Sequence, residues 1–193
     1  MPRSRHETGP PHVTSVLREA GLQGEWYAPR SATVPDDYYL NLGTAVHRAC
    51  ELSDENDLDE STLDERIRPR LVQYRRFLSE LNVEVIEIER EVSHPIFKYV
   101  GRLDRLVRIG SRLGVLDLKS PSVAAWQGPQ TAAYREARVM EPLASPITAR
   151  WTLHLHDTKY VLREWTDRDD WNVFLSALTV ANWRRRNGLW TTS

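Results

Sequence analysis

Cysteine is almost absent from the 193-residue sequence, which contains only Cys50. A single thiol excludes an internal disulfide framework, a four-cysteine zinc site and an iron–sulfur cluster held by the usual four thiolates. The sequence also lacks the motif G-x-x-x-x-G-K-[ST], so it contains no helicase motor. Any unwinding of nucleic acid would therefore require a separate partner.

Long apolar runs are missing as well. No segment approaches the length of a membrane-spanning helix, and the first residues, MPRSRHETGPPH, contain no signal-peptide core. The formal net charge is −1, so the chain as a whole does not attract nucleic acid or a membrane surface. We expect a cytosolic protein without membrane association, in which any basic surface is local.

The residues that are present are those of an ordinary globular domain. Hydrophobic residues make up 40% of the chain and charged residues 27%. We expect residues 1–11 to form a disordered leader and residues 12–193 a single domain. Periodicity predicts three helices, the third over residues 62–81, then three strands, a helix, a hairpin and a closing helix. This order is typical of an α/β fold, with a central mixed β-sheet of about five strands flanked by helices.

One predicted hairpin brings charged residues together. The pair Gly110-Ser111 predicts a two-residue type II′ turn between YVGRLDRLVRI and RLGVLDLK. Asp104 then lies directly opposite Asp117, and Arg102 lies opposite Lys119. Two carboxylates at that separation must share a proton or a cation, and a divalent ion bound by oxygens fits between them. The alternative is a solvated face on which the two cations neutralise the two acids.

Four short motifs follow one another along the chain. They are GTAVH with Gly43 and His47, GRLD with Gly101 and Asp104, DLK with Asp117 and Lys119, and QTAAY with Gln130 and Tyr134. In this order they resemble the motifs of the PD-(D/E)XK nuclease superfamily, in particular its RecB-like, lambda-exonuclease-like branch. The likeness is to small phage-type members without an iron–sulfur cluster. It implies a restriction-endonuclease-like fold.

The resemblance also implies a metal site. The ion, Mg²⁺ or Mn²⁺, would be held by His47, Asp104 and Asp117, with the backbone carbonyl of Leu118 as a further ligand. An oxygen-rich set with one imidazole suits either ion. Such an ion activates water and offsets charge on the transition state.

The remaining implied roles concern catalysis and substrate. Lys119 would orient or deprotonate the attacking water and would act with the two aspartates as the catalytic set. Gln130 and Tyr134, one helical turn apart, would steer the lysine and contact the substrate backbone. Arg102 would face the site and bind substrate.

These roles imply a metal-dependent deoxyribonuclease. It would hydrolyse DNA phosphodiester bonds as an exonuclease in the recombination or replication of a phage or mobile element. DNA would be its substrate, and a recombinase, a single-strand-binding protein or a helicase its partner. Two alternatives are open: a catalytically silent DNA- or partner-binding module, and a metal-dependent hydrolase of a small phosphorylated substrate. Intact Asp104, Asp117 and Lys119 disfavour the first, and the absence of a glycine-rich phosphate loop disfavours the second.

Several of these residues also have purely structural explanations. A single histidine on a helix, such as His47, is more often a packing or surface residue than a ligand. Tyr134 on an amphipathic helix is by default a core aromatic, and Gln130 a surface residue. Glu91 is expected only as an acid that supports the metal from nearby.

Most aromatic and basic residues of the chain have ordinary structural explanations. The chain has seven tryptophans, Trp165 among them, for which core packing is the ordinary explanation. Trp126, between the lysine and the Gln130 helix, is the best candidate for stacking on a base. Arginine clusters within residues 66–76 and 184–186 are attributed mostly to solvated helix faces.

Overall fold

The computed structural model describes residues 9–23, 38–119 and 123–190. Most of the expected leader, residues 1–8, lies outside the described residues. Residues 9–11 are described, and the Pro11 carbonyl accepts a hydrogen bond from the Val100 amide at 3.0 Å. Within the described parts of the chain, no helix is both long and apolar enough to span a membrane.

The chain forms the predicted order of elements. The helices are α1 Val13–Glu19, α2 Tyr38–Asp54, α3 Arg68–Glu80, α4 Gln127–Arg138 and α5 Asp170–Arg186. The strands are β1 Glu84–His94, β2 Tyr99–Ile109, β3 Arg112–Lys119, β4 Ile147–Leu155 and β5 Tyr160–Glu164. The five strands form one sheet in chain order, with β3 and β4 parallel and the other neighbours antiparallel. The predicted α/β fold with a mixed five-stranded sheet is confirmed.

The third helix is shorter than predicted. It begins at Arg68 rather than near residue 62, and a single 3₁₀ turn occupies Glu60–Thr62. Pro69 explains the difference, because a proline fits the first turn of a helix but breaks a helix interior. The apolar period before Arg68 therefore belongs to a turn and not to a helix.

The hairpin between β2 and β3 has the predicted register. Pairs run from Ile109–Arg112 at the turn to Arg105–Leu116. Gly110 has φ of +59°, and Ser111 does not share this left-handed conformation, as a type II′ turn requires. The pairs end one residue short of the predicted pair Asp104–Asp117, where the Leu118 amide donates to the Asp104 side chain.

Two apolar clusters cover the two faces of the sheet. The first joins α1, α4 and α5 to the sheet and includes Val13, Leu103, Tyr134 and Phe174. The second joins α2 and α3 to the sheet and includes Val46, Tyr74, Leu118 and Leu153. Each face of the sheet is therefore packed against helices.

Candidate active site

The sheet is irregular at the level of Asp104. Leu103 packs in the first apolar cluster, whereas Arg105, two residues on, contacts Asp54 of α2 on the other side. Residues two apart in a regular strand share a face, so the alternation breaks at Asp104. On β1, Glu89 falls between the pairs Ile88–Arg105 and Arg90–Leu103, level with Asp104. The backbone of both strands is therefore adapted at one point of the sheet.

Glu89 shows this adaptation most clearly. Its φ is +48°, a left-handed conformation that is rare for a residue with a side chain inside a strand. Such a conformation is unfavourable and persists only where the surroundings determine it, commonly at functional sites. In β1 this left-handed conformation changes the position of the Glu89 carboxylate relative to that of a regular strand.

Three metal-ligating side chains meet at this irregular point. His47 of α2, Glu89 of β1 and Asp104 of β2 each present one ligand atom, and these atoms lie within 4.8 Å of one another. His47 Nδ1 lies 3.5 Å from Asp104 Oδ2. The histidine side chain is 33% exposed and the aspartate side chain 13% exposed, so the cluster is accessible from one side.

Two arginines hold the carboxylate of Glu89. Arg102 Nε lies 2.9 Å from Oε2, and Arg105 Nη1 lies 3.2 Å from Oε1. Arg105 is fully buried, and its Nε also donates to Asp54 Oδ2 at 2.6 Å. Asp54 in turn accepts the Tyr74 hydroxyl at 2.7 Å. This buried network ties the C-terminal end of α2 to the cluster, and His47 lies two helical turns earlier on the same helix.

A second charged pair lies beside the cluster. Asp117 is 2% exposed, and its Oδ2 lies 2.5 Å from Lys119 Nζ. The Leu118 amide between them donates to Asp104 Oδ2 at 2.7 Å. Lys119 Nζ also lies 5.2 Å from the centre of the Trp126 ring, within cation–π range. The end of β3 thus contributes a buried acid, a lysine and a backbone donor to one location.

Helix α4 closes the site from one face of the sheet. Gln130 and Tyr134 are both buried, and Gln130 Nε2 donates to the Tyr134 hydroxyl at 3.1 Å. The tyrosine ring packs directly on Gly101, where an added Cβ would lie 2.6 Å from Cε1. The glycine of the GRLD motif therefore permits a close approach of α4 to β2.

The surroundings shift the pKa values of the cluster. Burial, and next the charge of Asp117, raise the pKa of Asp104 to about 7. Burial and the charge of Asp104 raise the pKa of Glu89. Burial lowers the pKa of His47, which favours a neutral imidazole with a nitrogen available to a cation. Together these pKa shifts indicate that the ionised carboxylates of the cluster are unfavourable unless a cation binds beside them.

The cluster fits a divalent ion. At metal–oxygen distances of about 2.1 Å, two ligands on opposite sides of Mg²⁺ lie about 4.2 Å apart. Only one pair of the three ligands can be opposite, and adjacent ligands lie about 3.0 Å apart, so ligand atoms within 4.8 Å of one another need to close by less than about 2 Å. Two carboxylates and one imidazole suit Mg²⁺ or Mn²⁺.

The structure brings together most of the residues expected at the site. His47 and Asp104 lie in the cluster, and Asp117 lies next to it, in an ion pair with Lys119. Arg102 contacts the cluster through Glu89, with 59% of its side chain exposed. The roles of these residues, and of the Leu118 carbonyl, stay predictions.

Glu89 is the residue that the sequence analysis missed. Glu91, the expected supporting acid, is exposed and pairs across the strands with Arg102, while Glu89 lies in the cluster. The hairpin between β1 and β2 is the signal that could have identified Glu89. A four-residue turn over residues 95–98 pairs His94 with Tyr99, and that register brings Glu89 level with Asp104.

Comparison with known proteins gives a match by structure only. No protein-family model and no curated protein matches the sequence. A candidate exonuclease from Eubacterium rectale superposes with a TM-score of 0.55 at 13% identity, covering 98% of this chain and 87% of that chain. The two proteins share a fold.

Two further structures resemble this fold more weakly. They are an alkaline exonuclease from Laribacter hongkongensis and the same enzyme in complex with dAMP. Each has a TM-score of 0.35, at 13% and 14% identity. They cover 92% and 93% of this chain, and 92% and 94% of their own chains. The fold assignment rests on the Eubacterium rectale protein alone.

Proposed function

We propose that this chain is a metal-dependent nuclease that hydrolyses phosphodiester bonds in DNA, acting as an exonuclease. The observation that carries the proposal is the cluster of His47, Glu89 and Asp104 beside the Asp117–Lys119 pair. It lies on a fold shared with a candidate exonuclease. The order of its motifs supports placing it in the PD-(D/E)XK superfamily, in the RecB-like branch.

Three side chains would hold the ion, namely His47, Glu89 and Asp104, while Asp117 lies outside this group and pairs with Lys119. A bound Mg²⁺ or Mn²⁺ would supply a water of lowered pKa and positive charge for the scissile phosphate. The chain's own contribution is to keep the two clustered carboxylates and the imidazole in place. Arg105 does this for Glu89, and the Leu118 amide does it for Asp104.

Lys119 would act on the reacting groups. Its side chain is 17% exposed, and its ammonium lies between the Asp117 carboxylate and the Trp126 ring. From there it can orient the attacking water and stabilise the charge that develops on the phosphate oxygens. Trp126 restricts the lysine from one side, which keeps the charge directed at the site.

The substrate contacts come from residues around this centre. Arg102 is exposed while it holds Glu89, so its guanidinium is accessible to a phosphate near the ion. Gln130 and Tyr134 are buried, which makes them supports of the site more than contacts of an extended strand. Their hydrogen bond fixes the face of α4 that lies against Gly101.

The proposal is tested by assaying linear duplex, single-stranded and covalently closed circular DNA with Mg²⁺ or Mn²⁺. Lys119→Ala should lower the cleavage rate by about 10²- to 10⁴-fold while DNA binding is retained. Lys159→Ala, at the exposed turn between β4 and β5, is the matched control and should cleave at the wild-type rate. An exonuclease digests the linear substrates and spares the closed circle.

Other results would favour the alternatives. Binding of DNA without cleavage under either ion would indicate a catalytically silent module. Release of phosphate from small phosphorylated compounds, with every polynucleotide intact, would indicate the small-substrate hydrolase. Equal cleavage by Lys119→Ala and wild type would remove the lysine from the catalytic set.

A further inference from the structure

The row of polar residues that crosses the sheet beside the metal cluster continues from β3 onto β4 and β5. Asp117 of β3 pairs with Thr152 of β4, and Thr152 pairs with Arg163 of β5. Paired residues on neighbouring strands project from the same face, so Arg163 shares the face of Asp117. Neighbouring strands lie about 4.8 Å apart, which puts the Arg163 backbone about 10 Å from that of Asp117.

Arg163 is held in place by an aromatic support. Its guanidinium carbon lies 5.3 Å from the centre of the Trp165 ring. The indole Nε1 donates to Thr152 Oγ1 at 3.0 Å, and Thr152 is fully buried, so the ring is anchored to the sheet. A guanidinium that rests on a ring by its face keeps its N–H edge available to another group.

The charge of Arg163 is not balanced by a carboxylate. It is exposed and makes no ion pair within residues 9–23, 38–119 and 123–190. Glu164, the next residue on β5, forms a salt bridge with Arg112 of β3 instead. Arginines elsewhere on the surface, such as Arg76 and Arg90, pair with glutamates. Arg163 is therefore a preorganised positive charge near the site.

We propose that Arg163, supported by Trp165, forms a subsite for a phosphate of the substrate strand away from the cleaved bond. This rests on the proposed nuclease function. Phosphates of a stacked strand advance by about 3.4 Å along the helix axis, so about 10 Å along that axis corresponds to about three nucleotides. The planar guanidinium matches phosphate oxygens in a bidentate contact. The nucleic-acid strand would run from the ion towards the edge strand β5.

The test compares Arg163→Gln with Arg186→Gln. Arg186 is an equally exposed arginine at the last position of α5. That helix begins at Asp170, which pairs with Arg150 of β4, and Arg186 is about 24 Å further along its axis. Binding of a fluorescein-labelled single strand and of its duplex is measured by anisotropy in EDTA, over a range of NaCl concentrations.

Arg163→Gln should weaken binding about fivefold. It should also reduce the salt dependence by about one phosphate, a change of about 0.7 in the logarithmic slope for a single strand. Arg186→Gln should leave both quantities at wild-type values. Trp165→Phe keeps the ring but loses the bond to Thr152, so it should weaken binding less than Arg163→Gln.

A second measurement locates the subsite. The kcat/KM of wild type and of Arg163→Gln is measured for a series of oligonucleotides of increasing length. The value for wild type should exceed that for Arg163→Gln only when the strand extends about three nucleotides past the cleaved bond. If wild type cleaves DNA and Arg163→Gln matches Arg186→Gln in slope and length dependence, the subsite is wrong and the nuclease stands. If wild type neither binds nor cleaves nucleic acid, both proposals fail.

Discussion

Replacing Asp104 with asparagine should stabilise the metal-free protein while it abolishes tight metal binding. The carboxylate of Asp104 is buried beside Asp117, and its pKa is raised from 3.8 to about 7. A raised carboxyl pKa means that the folded state binds the proton more tightly than the unfolded state. The resulting loss of stability is absent below pH 3.8, grows as the pH rises, and is complete above about pH 7.

The size of the effect follows from the shift. One pKa unit corresponds to about 1.4 kcal/mol, so the penalty above pH 7 is of the order of 4 kcal/mol for the fully developed shift. Between about pH 5 and pH 8 the part of the penalty that develops is roughly 2.6 kcal/mol. Asparagine cannot titrate, yet its side-chain oxygen can still accept the Leu118 amide that now bonds Asp104. The substitution therefore removes the charge and preserves the hydrogen bond.

The assay is urea unfolding of wild type and Asp104→Asn in EDTA at both pH values, followed by the same titration with Mn²⁺. The free energy of unfolding of the variant relative to wild type should rise by roughly 2.6 kcal/mol from about pH 5 to pH 8. Mn²⁺ at 100 times its dissociation constant should stabilise wild type by about 2.7 kcal/mol and leave the variant unchanged. A pH-independent difference between the two proteins would refute the electrostatic account of the site.

Two further predictions concern single residues. Glu89→Gln should lower Mn²⁺ affinity at least about tenfold in calorimetry, because it removes a ligand, while Glu91→Gln on the exposed side of the same strand should not. Equal affinities in the two variants would exclude Glu89 as a ligand. Gly101→Ala should destabilise the fold by about 1–3 kcal/mol in urea, because its Cβ would lie 2.6 Å from the Tyr134 ring. Gly9→Ala, with open space around the added carbon, is its control, and equal stability of both variants would contradict the packing described.

The hairpin and the sheet were predictable because short-range chemistry determines them. Gly110 in a two-residue loop fixes the pairing of β2 with β3, which runs from Ile109–Arg112 to Arg105–Leu116. Alternation and helical period likewise predicted the order of the elements. The α3 start was wrong because apolar period alone does not register a proline such as Pro69.

The residues that form the metal-ligating cluster were harder to predict from the sequence. Glu89 enters it through a left-handed backbone in a strand, and regular alternation cannot predict such a conformation. Arg105 is similar, because a charged side chain that is fully buried is explained only by partners distant in the chain, Asp54 and Glu89. Long-range ion pairs of this kind leave no local pattern in the sequence.

The level of the sheet that carries Asp104 also constrains how this chain can vary in length. Asp117, Thr152 and Arg163 meet there only because three strands keep a common register. Deleting or inserting one residue in any of these strands would turn the residue that this strand contributes to the opposite face of the sheet. This would happen even if every other residue were retained. Changes in length should accordingly be tolerated in the connecting loops and excluded from the strands, whereas many single replacements within the strands would leave the row aligned.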